Sequence, residues 1–247
     1  MNKYHLVWAD EFNYSGKPDP SKWNYDTGNK HWGNNEVQYY TDGANVQVNQ
    51  GMMIIQGRIE TLEDSPYTSC RLTTYQRKHF QYGRIAVKAK LPSAKGSWPA
   101  IWMLPVDKRG ANPTPWPKCG EIDIMEHVTS MMDTIHVSLH TEKYNHIIRT
   151  QRTFFEKIAG VTQSFHEYAM DWVEDYIEFF IDGKSFHRFD RHVLGFDDSE
   201  AGWPFDKPYY LIINLAIGGS WGGEVKVDEY PCDFPIEYVR YYEIIDE

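Results

Sequence analysis

Apolar residues recur at every second position along much of this chain. In YGRIAVKAKLP, Ile85, Val87, Ala89 and Leu91 alternate with Arg84, Lys88 and Lys90. In TIHVSLHTE, Ile135, Val137 and Leu139 alternate with His136, Ser138 and His140. Side chains on one face of a strand recur with period two, so both stretches predict strands with one face in a core. YIEFFIDGKSFHRFD predicts a hairpin, two alternating runs meeting at Asp182-Gly183, a pair suited to a type I′ turn. YLIINLAIGG and PIEYVRYYEII predict two further strands near the C-terminus. Helical periodicity is scarce, with one turn expected around Phe165 to Tyr168. Many short strands parted by Gly, Pro, Asn and Asp predict an all-β protein, a β-sandwich of jelly-roll type. No repeat, low-complexity tract or linker interrupts the 247 residues, which predicts a single domain over 1–247.

One strand-like stretch breaks the alternation in an informative way. GEIDIMEHV puts Glu121, Asp123 and Glu126 among Ile, Met and Val. Glu121 and Asp123 share a face, but a regular strand turns Glu126 to the other side. A single β-bulge at Ile124-Met125 adds one residue and returns Glu126 to the face of the other two acids. The glutamates are then about four effective positions, or roughly 13 Å, apart along the backbone. Leaning together, their carboxyls reach the roughly 5–5.5 Å separation of a retaining glycosidase, one nucleophile and one acid/base. Asp123 lies between them and can help hold the nucleophile ionised. An acidic triplet on a solvated strand face is the competing reading of the spacing alone. His136, Ser138 and His140 make a polar face on the strand expected to pair next, where a His near Glu126 could tune its proton affinity.

Composition narrows the partner. The net charge of −10 argues against nucleic acid and anionic membranes, which want a basic face. The longest apolar run, starting at Tyr209, is broken by Asn214 and is too short to span a bilayer. The N-terminus enters strand-like sequence at once, without the apolar core of a signal peptide. The expectation is a cytosolic protein or a mature secreted, periplasmic or cell-surface form, with polysaccharide substrates favouring export. Cys70, Cys119 and Cys232 lack CxxC spacing, so a zinc cluster is not expected; at least one thiol is free and one disulfide remains open. Nine Trp and seventeen Tyr exceed what an ordinary core needs, and indole faces stack on the C–H faces of sugar rings.

At these residues the chain resembles glycoside hydrolase family 16, the laminarinase-like group. The resemblance runs over nearly the whole chain, through LVWADEFN, WGNNEVQYYT, GSWPAIWMLP, WPKCGEIDIMEHV, FHEYAMDWVEDYIEFFIDG, NLAIGGSWGG and EYVRYYE in that order. EIDIME matches the bulged form of the family motif and not the regular form of bacterial lichenases. The resemblance implies a jelly roll whose concave sheet lines an open substrate cleft. It implies Glu121 as nucleophile, Glu126 as general acid/base and Asp123 as assisting carboxylate, hydrolysing a β-1,3- or mixed-linkage β-1,3-1,4-glucan internally with retained configuration. No organic cofactor is implied. The polysaccharide is the expected partner, and a monomer the expected state.

Candidate sugar contacts follow from the same stretches. Trp98 and Trp102, four apart in SWPAIW, share a strand face; Trp116 precedes Glu121 by five; Trp221 in GGSWGG is expected on a loop. Asn34, in WGNNE with Asn35, and Asn214 are candidate hydrogen-bonders to hydroxyls, and Arg71 and His140 are further candidates to reach the cleft. The resemblance also implies a structural calcium held by Glu11, the Gly51 carbonyl and Glu237, where the family usually has Asp. Two other classes fit the composition. One is a lectin on the same sandwich, which would not need the glutamate pair. The other is a hydrolase of agar, porphyran or carrageenan, where sulfate would call for Arg or Lys in the cleft.

Overall fold

The computed structural model describes residues 3–30 and 32–245. Among these residues the chain forms seventeen strands. The first nine are β1 (Lys3–Asp10), β2 (Asn24–Tyr25), β3 (Gln38–Tyr40), β4 (Val46–Asn49), β5 (Met52–Leu62), β6 (Ser65–Ser69), β7 (Arg71–Thr73), β8 (Gly83–Ala89) and β9 (Ser97–Pro105). The rest are β10 (Glu121–Glu126), β11 (Thr134–His140), β12 (Arg152–Lys157), β13 (His166–Trp172), β14 (Tyr176–Ile181), β15 (Lys184–Asp190), β16 (Tyr209–Ile217) and β17 (Cys232–Ile245). One four-residue helix, α1 (Gly219–Gly222), follows β16.

The strands make two sheets. The cleft sheet runs β12-β11-β10-β9-β16-β7-β2, and the outer sheet runs β15-β14-β13-β8-β17-β5-β6-β3, with β1 on β17 and β4 on β5. Alternation decides what lies between them. Ile101, Met103, Ile122, Val137, Leu211 and Ile213 of the cleft sheet meet Ile85, Val87, Met170, Phe179 and Val239 of the outer sheet in one buried cluster. The jelly-roll sandwich expected from the period-two pattern is the observed architecture.

The intervening residues of the cleft sheet face away from this core. On β9 they are Trp98, Ala100, Trp102 and Leu104; on β16 they are Tyr210, Ile212, Asn214 and Ala216. Cross-strand pairing of Ala100 with Asn214, Trp98 with Ala216 and Asn214 with Arg71 aligns this second face across three strands.

The β14–β15 hairpin turns at Asp182 (φ 51°) and Gly183 (φ 75°), the two positive φ values of a type I′ turn. The helical turn expected around Phe165 to Tyr168 is not formed. His166 onward is strand, because β13 pairs with β8 on one side and β14 on the other, and ladder bonds on both sides outweigh local preference. All three cysteines are buried free thiols, so the open disulfide is not made. No described helix is long and apolar enough to cross a membrane.

Candidate active site

β10 carries the bulge. Ile122 pairs with Met103 and Asp123 with Trp102 on β9, but Met125, not Ile124, pairs with Ile101. Against β11, Glu121 faces His140, Asp123 faces Ser138 and Glu126 faces His136. Ile124 and Met125 both enter the core, at 2% and 0% exposure. Two successive core-facing residues consume the extra position, and Glu126 emerges beside Glu121 and Asp123. Gly120 permits the chain to enter this strand: its φ is +88°, and a Cβ there would lie 2.3 Å from the Tyr209 hydroxyl oxygen.

Each outer carboxylate has its own indole. Trp116 Nε1 donates to Glu121 Oε2 at 3.1 Å, and Trp98 Nε1 donates to Glu126 Oε1 at 3.1 Å. His140 Nε2 stands 3.3 Å from Asp123 Oδ2 and 3.9 Å from Glu121 Oε1. Burial pushes Glu121 up to about 8, and the neighbouring charges of Asp123 and Glu126 add to the rise; His140 and the Trp116 N–H oppose it. Glu126 is likewise pushed up to about 8 by burial and then by the charge of Asp123. Asp123 is raised to about 8 by burial, against a hydrogen bond from Glu121. Proton affinity is thus raised across the whole trio, so it does not carry three negative charges at neutral pH. His140 Nε2 stands nearest Asp123 and Glu121, and that proximity favours the anion on their side.

These groups open onto a cleft of about 590 Å³. Its walls include Asn34, Arg71, Trp98, Trp102, Trp116 and Asn214 of the expected residues. Several are fixed in place. Asn214 Oδ1 accepts from Trp102 Nε1 at 2.7 Å, and its Nδ2 donates to the Tyr40 hydroxyl at 3.0 Å. The Arg71 guanidinium lies between two indoles, 4.8 Å from the Trp32 ring and 4.7 Å from the Trp102 ring. Its Nε donates to Asp26 at 3.1 Å, and Arg109 makes two bonds to the same Asp26 at 2.9 and 2.6 Å. The cleft thus presents aromatic faces whose backing is clamped by ion pairs.

Two expected contacts stand elsewhere. His140 is 7% exposed and stands beside the carboxylates, opposite Glu121 and against Trp116 and His146, where it bears on their charge and does not itself line the cleft. Trp221 is on α1, not a loop, outside the deep cleft; its ring is 5.1 Å from Trp98 and 5.1 Å from His136. The sequence reading missed Trp32, Glu36, Arg109 and His146, which also line the cleft. Trp32 and Glu36 flank the quoted Asn34-Asn35 pair, so adjacency was a usable signal. Arg109 and His146 come from loops with no periodicity to mark them.

The three positions expected for calcium do not fit that ion. Register brings them close, since Asp10 pairs with Val239 and Met53 with Ile236. Yet Glu11 is taken by Arg240, whose Nε and Nη2 donate to its two oxygens at 2.7 and 2.9 Å. Glu237 pairs with Lys88 at 2.7 Å. Both acids already hold a cation of the chain's own, and both oxygens of Glu11 are taken, so a hard metal would have to displace Arg240 to gather its ligands. Among the described residues the converging His and carboxylate ligands are Glu121, Asp123 and His140.

A jelly roll with buried carboxylates and indoles on one open sheet defines a carbohydrate-active protein. The sequence profile "Glycosyl hydrolases family 16" matches residues 24–234. The chain belongs to glycoside hydrolase family 16, and it is a glycoside hydrolase. The Beta-glucanase of Rhodothermus marinus is 45% identical over 250 residues, covering 98% of this chain and 86% of that protein. The X-ray structure of the laminarinase from Rhodothermus marinus superposes with a TM-score of 0.93 at 42% identity, over 100% of both chains. SCLam, described as a non-specific endo-beta-1,3(4)-glucanase, superposes at 0.89 with 42% identity, covering 98% of this chain and 94% of that one.

Proposed function

We propose that the protein is a retaining endo-β-glucanase that cleaves β-1,3- or mixed-linkage β-1,3-1,4-glucan. One observation carries the reading: the register of β10 that turns Glu121, Asp123 and Glu126 onto the cleft together. Their partners His140 and His136 are four apart on β11, so the two glutamate backbones are separated by about 13 Å. Two Glu side chains leaning inward bridge that to the roughly 5–5.5 Å of a retaining pair.

Glu121, ionised beside Trp116 and His140, attacks the anomeric carbon. Glu126, kept protonated by burial and by the charge of Asp123, gives its proton to the leaving oxygen. A glycosyl-enzyme forms on Glu121. Glu126, now a carboxylate, takes a proton from water, which releases the sugar with its configuration retained. Asp123 shares a proton with Glu121 and holds negative charge between the two. No organic cofactor enters.

A neutral glucan is favoured over a sulfated polymer by the state of the two cleft arginines. Arg71 and Arg109 are both tied to Asp26 and stacked on rings, which leaves Lys108 as the cleft-lining cation without such a clamp. A lectin would have no use for three crowded acids, one buried and two half-buried, that destabilise one another. A polymer substrate suits an enzyme that works outside the cytoplasm. The test is Glu121→Ala and Glu126→Ala, assayed by reducing sugar from laminarin and barley β-glucan. Each should lose about 10³-fold or more in kcat while still binding oligosaccharide. Azide should rescue the Glu121 variant with inverted product and the Glu126 variant with retained product. Near wild-type hydrolysis in either variant would refute the assignment.

A further inference from the structure

Phe155 occupies a position where the strand pattern calls for a polar residue. It is 59% exposed, on the edge strand β12, between exposed Thr153 and Lys157. Its neighbour Phe154 turns the other way, packs on the core and stacks on His187 at 4.1 Å. Core packing therefore does not account for Phe155.

Register puts Phe155 on the cleft face. Glu126 is opposite His136 on β11, and His136 is opposite Phe155 on β12. Opposed residues share a face, so the three make a row across the sheet, with Phe155 about 10 Å from Glu126 by two inter-strand spacings. The rings along this row touch. Phe155 is 5.8 Å from His136, His136 is 5.1 Å from Trp221, and Trp221 is 5.1 Å from Trp98, whose indole donates to Glu126. Trp102, Asn214 and Arg71 lie in the opposite direction, toward β7.

We propose that Phe155 is the outer end of an aromatic platform that binds the leaving-group half of the glucan, one or two sugar units beyond the cleavage point. The inference rests on the glucanase reading, with Glu126 as the acid. The oxygen that receives the Glu126 proton departs with the leaving unit, so that unit stands against Glu126. The row that starts there and runs outward meets the next units. A flat apolar ring beside a half-buried indole and imidazole suits the C–H face of a pyranose. The free edge of β12 leaves room for the chain to continue.

The test separates substrates with and without that half. Phe155→Ala and Phe155→Trp are assayed on laminarin and on an aryl β-laminaribioside, whose small leaving group does not reach β12. Phe155→Ala should lower kcat/KM on laminarin about 10-fold, mostly through KM, as expected for loss of one stacked ring. Hydrolysis of the aryl glycoside should stay within about twofold, transfer to added laminari-oligosaccharide acceptors should fall, and Phe155→Trp should restore both. An unchanged laminarin rate, or an equal loss on both substrates, would overturn the platform while leaving the glucanase reading intact. A wild-type protein that cleaves neither substrate would overturn the glucanase reading and this inference with it.

Discussion

Glu121 faces His140 and Glu126 faces His136, so the span of β10 between the two acids holds one residue more than the matching span of β11. The surplus is absorbed by Ile124 and Met125, which both point into the core. This offset is what presents an acid pair, with Asp123 between, to one cleft.

Removing the surplus should preserve the arrangement. Deletion of Met125 leaves EIDIE, in which a regular strand keeps all three acids on one face. The loss of a buried Met should cost about 2–5 kcal/mol. Hydrolysis should nonetheless stay within about 100-fold of the wild type, the scale of a small misplacement. Insertion of Ala after Met125 turns Glu126 inward if the bulge persists, or, in a regular strand, leaves it on the cleft face about 20 Å along the backbone from Glu121; either outcome breaks the pair and should cost about 10³-fold or more, the contribution of a general acid. Reducing-sugar assays and thermal melts on the two variants check this. Equal activity in both would remove the bulge from the explanation.

The carboxyl trio should destabilise the enzyme at alkaline pH. Glu126 has a folded pKa of about 8, above its ordinary 4.5. Its contribution to stability is fully present below 4.5 and is lost as pH rises through 8. Glu126→Gln has no such loss. Its melting temperature should match the wild type near pH 4.5 and exceed it by several degrees near pH 8, given about 2–4 °C per kcal/mol for a domain of this size. A difference independent of pH would refute the buried, proton-holding state.

Gly120→Ala should damage both fold and site. The added methyl meets the Tyr209 hydroxyl at 2.3 Å and Pro204 at 2.8 Å, with φ at +88°. A cost of about 1–3 kcal/mol is expected, together with lower kcat as Glu121 shifts. Adding Tyr209→Phe removes the hydroxyl contact and should return part of both. Full additivity of the two substitutions would show that they do not share a contact.

Stability should be indifferent to chelators. Arg240 holds Glu11 through two bonds, and Lys88 holds Glu237. EDTA should move the melting temperature by less than about 1 °C, whereas Arg240→Gln should lower it by about 1–3 °C, the scale of a surface ion pair in a domain of this size. A large fall with EDTA, reversed by calcium, would restore the metal site.

Much of the site was legible along the chain because period two assigns each residue a face. The alternation in TIHVSLHTE separated His136, Ser138 and His140 from Ile135, Val137 and Leu139 without reference to any partner strand. The three acids of EIDIME demanded a bulge for the same reason, and the bulge lies where the pattern required it. Asp182-Gly183 announced its own turn, since few other pairs tolerate two positive φ values. The false helical turn at Phe165 to Tyr168 marks the limit of local preference, which yields to a strand paired on both sides.

The amino-acid sequence by itself determined the inward and outward faces of the strands it marked and the point in EIDIME where the acid trio needs an extra residue, because these depend on neighbours within a few residues. Only the tertiary structure decided which faces meet. It set His140 beside the carboxylates, clamped Arg71 and Arg109 on Asp26 from three distant loops and strands, gave Glu11 to Arg240, and aligned Phe155 with Glu126 across two strands. Those outcomes follow from cross-strand register and from ion pairs spanning up to 229 positions, and a local pattern carries no information about either.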